Sequence, residues 1–503
     1  MQKDILINVH PKEKRIAIVE NGSLEEFFVE RADTKGMVGN IYKGKVESIL
    51  QGIGAAFVDI GFEKNGFLYV TDAVDSAYDA ESFDELEEFG KRPLPQKRHI
   101  NIHDVLKRNQ EIIVQVVKEP FGTKGPRLTS HVTIPGRNFV FMPGDEHIGI
   151  SKKIVDPKER ERIRNILKRF KLPKDTGLIV RTAASGHKEN ELIREIKYLI
   201  NLSERIQHFA SRSQALALIY EELDLVLRIT RDVLTEEFSN VYVDSKEEYK
   251  RIMRFLNSFS PQLKSKIKLF NQNTPLFDSF KIAEEIEKIY GRKISLKSKG
   301  YIIIEQTEGF VSIDVNTGKF ASRNLEETAF ITNLEAAREI ARQIRLRDMG
   351  GIVVIDFIDM ESRDHQRKVY AALEESVKRD KAKTNILGFS SIGLVEMTRQ
   401  RMRKSLESVL YERCPCCGGR GSIKSALTTS IEAIRELENQ LLNNKKKIIV
   451  ITLHPRVAQK LLEEYKQDII NLERKYKSKV IIKEDQLFPH EGFKCEAKGF
   501  SRV

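Results

Sequence analysis

The stretch NLEAAREIARQIRLRDMGGIVVIDFIDM, residues 333–360, decides the architecture of the second half of this chain. Phe330, Leu334, Ala337, Ala341 and Ile344 recur at helical spacing and predict one buried stripe along a long helix, with Asn324 and Glu327 resembling a capping box at its start. After the two glycines, Ile352, Val353, Val354 and Ile355 form the β-branched run of a buried strand that carries Asp356 to its end. Upstream, FVSIDVNTG (310–318) does the same for Asp314. Strands and helices alternate from about 288 to 410, which predicts an α/β layer structure. Two rigid carboxylates at a sheet rim suit Mg²⁺, which takes hard oxygen ligands and usually keeps several waters beside one or two carboxylates and a substrate phosphate. Strand-terminal aspartates that pair with Arg or cap a helix produce the same local pattern, so the pair alone leaves both readings open. Asn316 shares the strand face of Asp314 and is placed to orient that carboxylate or hold a phosphate. Asp359, three residues beyond Asp356, falls on the opposite face of a continued strand and is the weaker ligand candidate.

Composition narrows the class of partner. Across 503 residues, 85 Lys and Arg stand against 73 Asp and Glu, a net charge of +12 that favours polyanions without separating RNA, DNA and acidic lipid. No apolar run reaches the length of a membrane span and the N-terminus lacks a signal-peptide core, so the expectation is a soluble cytoplasmic protein. Three of the four cysteines cluster as Cys414, Cys416 and Cys417, which excludes a secreted disulfide framework and points to metal binding.

Working outward, RIAIVE and LEEFFVE flank Asn21-Gly22, the signature of a tight type I′ hairpin. GNIYKGKVESIL, GAAFVDIG and NGFLYVTD, then EIIVQVVKE, predict a small antiparallel barrel. Between them, the acidic-then-basic connection over about 71–100 reads as a solvated insertion. A distinct α+β unit runs to about 222, and LDLVLRITRDVL with VYVDSKEEYKRIMRFL reads as a further strand-and-helix piece. Beyond the cysteines, helix, strand and helix form a compact terminal unit.

Three further constellations carry chemistry. Alternation in AAFVDI and GFLYV sets Phe57, Phe67 and Tyr69 opposite the aliphatic residues, a platform on which an OB-type barrel stacks the bases of a single strand. Lys43, Lys45 and Lys64 can draw in the backbone, and Lys118 and Lys124 extend the basic track; packing of the rings under a neighbouring domain is the competing reading. In GLIVRTAASGHK a strand delivers Arg181 and Thr182 to a small-residue turn, either as an anion pocket or as a structural ion pair. RCPCCGGRG holds a C-x₂-C knuckle, Cys414 and Cys417, that supplies half the ligands of a tetrahedral Zn²⁺. Two chains sharing the ion across a two-fold axis complete it economically; a His in the same chain, Cys495, or redox chemistry are alternatives.

In chain order, GNIYKGKVESILQGIGAAFVDIGFEKNGFLYV, GLIVRTA, SIDVNTG, the 333–360 run, GLVEMTRQR and CPCCGGRG closely resemble the RNase E/G family of bacterial endoribonucleases, over nearly the whole chain. The length is that of the family's shorter form or of a catalytic half standing alone. The resemblance implies a multidomain α/β and β fold. A split RNase H-like scaffold (1–35 and 223–287) would be interrupted by an S1-like OB barrel (36–127) and a 5′ sensor (128–222). A DNase I-like catalytic domain (288–410), a zinc link (411–424) and a small α/β domain (425–503) would follow. It implies Mg²⁺-dependent hydrolysis of single-stranded, A/U-rich RNA to 5′-phosphate products, in mRNA decay and rRNA and tRNA processing. By motif, Asp314 and Asp356 would bind Mg²⁺ with Asn316 assisting. Phe57, Phe67, Lys118 and Lys124 would hold RNA, and Gly136, Val140, Arg181 and Thr182 would sense a 5′-monophosphate. Cys414 and Cys417 would share Zn²⁺ between protomers of a homodimer or dimer of dimers. Lys383 stands where the family can have Arg. A non-catalytic RNA-binding scaffold, which would need the barrel but not the acids, is the competing function.

Overall fold

The N-terminal strand Lys3–His10 has both faces buried, because Ile5 and Ile7 alternate with Leu6 and each set meets a different core. Its sheet runs in the order 267–269, 240–243, 3–10, 13–20, 23–31, parallel on one side and a meander on the other. Asn21 and Gly22, at φ 50° and 82°, make the hairpin turn between the last two strands. The computed structural model describes residues 2–34, 36–73, 86–89, 101–120, 124–307, 309–318, 325–390, 392–400, 406–443 and 448–498. These fall into two units, Met1–Val409 and Leu410–Val503. Asn324 of the expected capping box and most of the 71–100 connection lie outside the described residues.

Three more sheets complete the first unit. Strands Ile41–Leu50, Ala55–Asp59, Gly66–Tyr69, Arg127–Thr129 and Glu111–Lys118 close into a five-stranded, OB-like barrel, the last pairing back on the first. Gly66 is required there: a Cβ would sit 2.3 Å from Leu128 Cδ1 in the barrel core. A mixed sheet ordered 134–135, 139–143, 176–180, 148–151, 86–89 packs with helices Pro157–Phe170 and Glu189–Arg212. The fourth sheet, ordered 293–295, 301–306, 310–316, 351–356, 394–399, 384–389, carries helices Leu325–Arg347 and Arg363–Val377. Burying each Ile or Val of its central strands contributes about 1.5–3 kcal/mol, enough in sum to hold the strand ends rigid. The second unit has a three-stranded sheet centred on Ile448–Leu453, with helices Ala426–Asn443 and Pro455–Tyr476 on its core.

Several expectations change. Residues 86–89 are not part of a purely solvated insertion, for they pair antiparallel with Ile148–Ser151 as an edge strand. LDLVLRITRDVL is a helix, Leu225–Asp232, whose Asp224 side chain caps it by accepting from the Leu227 amide; its apolar residues pack on the N-terminal sheet. Ala217–Tyr220 adds to the barrel strand Ile41–Leu50 rather than to the mixed sheet. The long helix is buried on more than one stripe: Ala337, Ile340, Ala341 and Ile344 face the fourth sheet, while Leu346 joins the core under the N-terminal sheet. Arg342 and Arg345 anchor that second contact through Glu285 and Glu25. A single-stripe pattern is what a helix with one buried face shows, and this one has two.

Candidate active site

Parallel pairing of strands Phe310–Asn316 and Gly351–Asp356 brings Asp314 directly opposite Asp356. Val311, Ile313 and Val315 point into the core with Val353 and Ile355, so the alternate face presents Ser312, Asp314 and Asn316 beside Val354 and Asp356. Asn316 Nδ2 donates to Asp314 Oδ2 at 2.8 Å, fixing that carboxylate. Burial and the charges of Asp314 and Asp359 raise the Asp356 carboxyl above its usual range. The strand stops at Asp356, and the charge of Asp359 in the chain that follows is felt at that carboxyl. Like negative charges on neighbouring oxygen ligands are the environment a divalent cation relieves, so these residues fit one Mg²⁺. Among the described residues no group of three or more His, Cys, Asp or Glu that could hold a metal ion is found.

The turn is pinned by residues that sequence reasoning missed. Asn333, fully buried on the long helix, donates from Nδ2 to the Ile358 carbonyl at 2.7 Å and accepts from the Ile358 amide at 3.0 Å. Glu326 accepts from the amides of Glu361 and Ser362 and lies 2.7 Å from His365 Nδ1, whose ring stacks on Phe330. Asn333 is a polar residue in an apolar helical run, and that was the available signal. Lys383 is exposed at the start of strand Thr384–Phe389, its carbonyl accepting from the Gln400 amide.

On the barrel, Phe57 and Phe67 are register partners with ring centroids 5.5 Å apart, and Phe67 contacts Tyr69 at 4.5 Å. Ala56, Val58 and Leu68 fill the interior, leaving the row of three rings at least partly open to solvent. Arg127, also missed, lies over Tyr69 and pairs with Asp72. Lys118 and Lys124 are exposed near this edge, Lys118 opposite Arg127 in register and Lys124 two residues before Pro126, whose carbonyl takes the Phe67 amide. Lys43 does not belong to the basic track; its ammonium is held by Glu111 and the Ser213 carbonyl. Phe57→Ala is expected to weaken single-stranded RNA binding about 5- to 150-fold, the worth of one base–aromatic stack, measured by fluorescence anisotropy. Unchanged affinity would return the ring to a packing role.

Arg181 leaves the end of strand Thr176–Val180, and its Nη1 donates to the Gly136 carbonyl at 2.7 Å and to Asp232 Oδ1 at 3.0 Å. Val140 pairs with Ile179 in the adjacent strand. Thr182 opens a short turn with its hydroxyl 3.4 Å from that of Ser151. Buried Glu195 shapes the Gly136 loop, accepting from the Asn138 amide at 2.8 Å and its Nδ2 at 2.6 Å. A Cβ at Gly136 would lie 2.3 Å from Glu195 Oε1, so only glycine fits. Glu159, held to about 2 by Arg162 and the Gly186 amide, ties down the turn that follows Thr182. All four residues expected to sense a 5′ end therefore lie on this one sheet or its edge.

In the second unit Cys414 and Cys417 flank a tight turn, with the Gly418 amide donating to the Cys414 carbonyl and Gly418, Gly419 and Gly421 all at positive φ. Amides of Gly421 and Gly419 lower the Cys417 thiol, favouring the thiolate that a zinc ligand requires. Cys416 is exposed, whereas Cys495 packs against the small core and is pushed up to about 11 by burial and Glu436. Glu491 accepts from Arg420 Nη2 and the Lys424 amide, fastening the knuckle to its own unit.

An OB-like barrel with a partly exposed row of rings and a two-carboxylate sheet rim within one unit suit the class of proteins that bind and cleave nucleic acid. Comparison with known proteins makes the class specific. Residues 133–402 match the Ribonuclease E/G family, and residues 413–498 match the family's thioredoxin-like domain. Ribonuclease G of Escherichia coli (strain K12) is 39% identical over 494 residues, covering 98% of this chain and 99% of the relative. Ribonuclease G of Haemophilus influenzae (strain Rd) is 40% identical, covering 97% and 98%. Ribonuclease E of E. coli K12 is 34% identical over 97% of this chain but only 45% of its own length. The chain belongs to the Ribonuclease E/G family and is an endoribonuclease, a hydrolase of RNA. Among the described residues no helix is long and apolar enough to cross a membrane.

Proposed function

We propose that the chain is a Mg²⁺-dependent endoribonuclease that cuts single-stranded, A/U-rich RNA, prefers 5′-monophosphorylated ends, and acts in the cytoplasm in mRNA decay and rRNA and tRNA processing. The observation that carries the metal reading is the register of Asp314 and Asp356, with Asp356 raised by burial and by the like charges of Asp314 and Asp359. Mg²⁺ at this pair would supply Lewis-acid activation of water and stabilise the charge that develops on phosphate. Phe57 and Phe67 would stack bases while Lys118 and Lys124 neutralise the backbone, presenting one phosphodiester to the sheet rim. Asn316 would hold Asp314 in one orientation or contact the scissile phosphate. Arg181 and Thr182 would take the 5′-phosphate with Gly136 and Val140 behind them. Cys414 and Cys417 would share Zn²⁺ with a second chain, making a homodimer or dimer of dimers. The N-terminal sheet with residues 223–287 would serve as the RNase H-like scaffold and the fourth sheet as the DNase I-like catalytic unit.

The test is cleavage of defined 5′-monophosphate and 5′-triphosphate oligomers with and without Mg²⁺. Cleavage is expected only with the ion and faster on the monophosphate, and Arg181→Ala should remove the difference between the two ends. Equal rates on both ends in the parent enzyme would sink the sensing claim, and undiminished cleavage in chelator would sink the metal claim.

A further inference from the structure

Asp232 lies between two guanidinium groups. Arg231 grips it as a fork, Nε to Oδ1 at 3.2 Å and Nη2 to Oδ2 at 3.0 Å, while Arg181 Nη1 reaches Oδ1 at 3.0 Å. Arg231 is itself buried and fixed, its Nη1 donating to Glu222 Oε1 at 2.7 Å and to the Pro135 carbonyl at 3.0 Å. The Asp232 carboxylate therefore cannot swing aside when a ligand approaches Arg181. Burial raises its carboxyl, but Arg231 and Arg181 outweigh that and hold it below the usual range, so it is ionised at neutral pH.

Two consequences follow for Arg181. Both its hydrogen bonds, to Gly136 and Asp232, use Nη1, and among the described residues Nε and Nη2 make none; one edge of the fork is held and the other is offered to a ligand beside Thr182. The charges of Arg181, Arg231, Asp232 and Glu222 also cancel. A pocket whose cations are already paired and whose wall carries a fixed carboxylate recognises a compact anion by hydrogen-bond geometry and gains little from added ligand charge.

We infer that Asp232 is a specificity-determining residue of the 5′-end pocket, which orients the Arg181 fork and penalises end groups carrying more negative charge than a monophosphate. This rests on the 5′-sensing reading of Arg181 and Thr182 above. The chemistry is electrostatic: a 5′-triphosphate brings further charge towards a carboxylate that cannot move, whereas a monophosphate meets mainly the free edge of Arg181.

Asp232→Asn keeps an oxygen acceptor for Arg181 and removes the charge. Rates on 5′-monophosphate, 5′-triphosphate and 5′-hydroxyl versions of one oligomer are to be measured for parent and variant, with each phosphorylated rate divided by the hydroxyl rate of the same protein. The monophosphate-to-triphosphate ratio is expected to shrink about three- to thirtyfold, through a gain on the triphosphate, the scale of one or two charges partly screened at a half-exposed site. Loss of packing alone would lower every rate and leave that ratio where it was. Asp232→Ser, which leaves room for water at the carboxylate position, serves the same comparison if the amide variant does not fold. A parent that prefers monophosphate combined with an unchanged or enlarged ratio in the folded variant overturns the role of Asp232 alone. A parent with no preference overturns the sensor reading and this inference together.

Discussion

Replacing both Asp314 and Asp356 by Asn is expected to lower RNA cleavage by about a thousandfold or more, at least the scale on which removing a principal electrostatic element slows an active site. The two side chains sit opposite each other on adjacent parallel strands, and neither has a cationic side-chain partner among the described residues that would make it structural. Asn preserves shape and one carbonyl oxygen but not the charge that a hard cation needs. RNA affinity should be largely kept, since the ring platform lies on the barrel and not on this sheet. Removing two like charges from one rim should not destabilise the fold, which thermal unfolding would check. The decisive comparison is single-turnover cleavage beside anisotropy-measured binding for the same variant. Cleavage at the parent rate would mean that the chemistry is elsewhere, and parallel loss of binding would mean that the carboxylates act on RNA docking.

The second large effect is expected at the cysteine knuckle. Cys414→Ser with Cys417→Ser should eliminate bound zinc and reduce the mass in solution towards that of one chain, read by metal analysis and by light scattering. Thiolate is the ligand zinc prefers, and amide donation from Gly419 and Gly421 already favours it at Cys417, whereas a serine hydroxyl stays protonated near neutral pH. Structural zinc contributes about 10–16 kcal/mol in small metal-dependent folds, so an ion shared between chains would dominate their association. The small unit has its own core of buried aliphatic residues and should remain folded without the ion. An oligomer of unchanged mass, or full zinc content in the double serine variant, would refute the shared site. Cys416→Ser separates the ligands, because this exposed cysteine should be dispensable.

Much of the site is written in local pattern. Alternation alone sets Phe57, Phe67 and Tyr69 on one side of the barrel strands, because a strand repeats every two residues whatever surrounds it. The same rule puts Asp314 and Asn316 on one face and explains the hydrogen bond between them. Turn chemistry likewise gave the Asn21-Gly22 hairpin, whose two positive φ values are a property of those residues more than of their neighbours. Past an element's end, as at Asp359, the local rule has no strand to act on: the strand stops at Asp356, and Asn333 and Glu326 from the long helix set the path of the chain. The helix at 225–232 was missed because its β-branched, apolar composition suits a strand as well, and burial against a sheet decided between them.

By itself, the sequence determined which residues end up at strand ends, which faces are apolar, and, through its ordered motifs, which family the chain belongs to. Which strands become neighbours is settled by the packed core. Asp314 and Asp356 are 42 positions apart and face each other because the intervening helix returns the chain to a parallel neighbour in matching register. Arg181 and Asp232 are brought together by the packing of two different sheets, and no periodicity spans that separation. Side-chain direction is fixed over a few residues by backbone geometry, whereas partnership between distant carboxylates and guanidiniums depends on how buried faces stack, and that is settled only when the whole core forms.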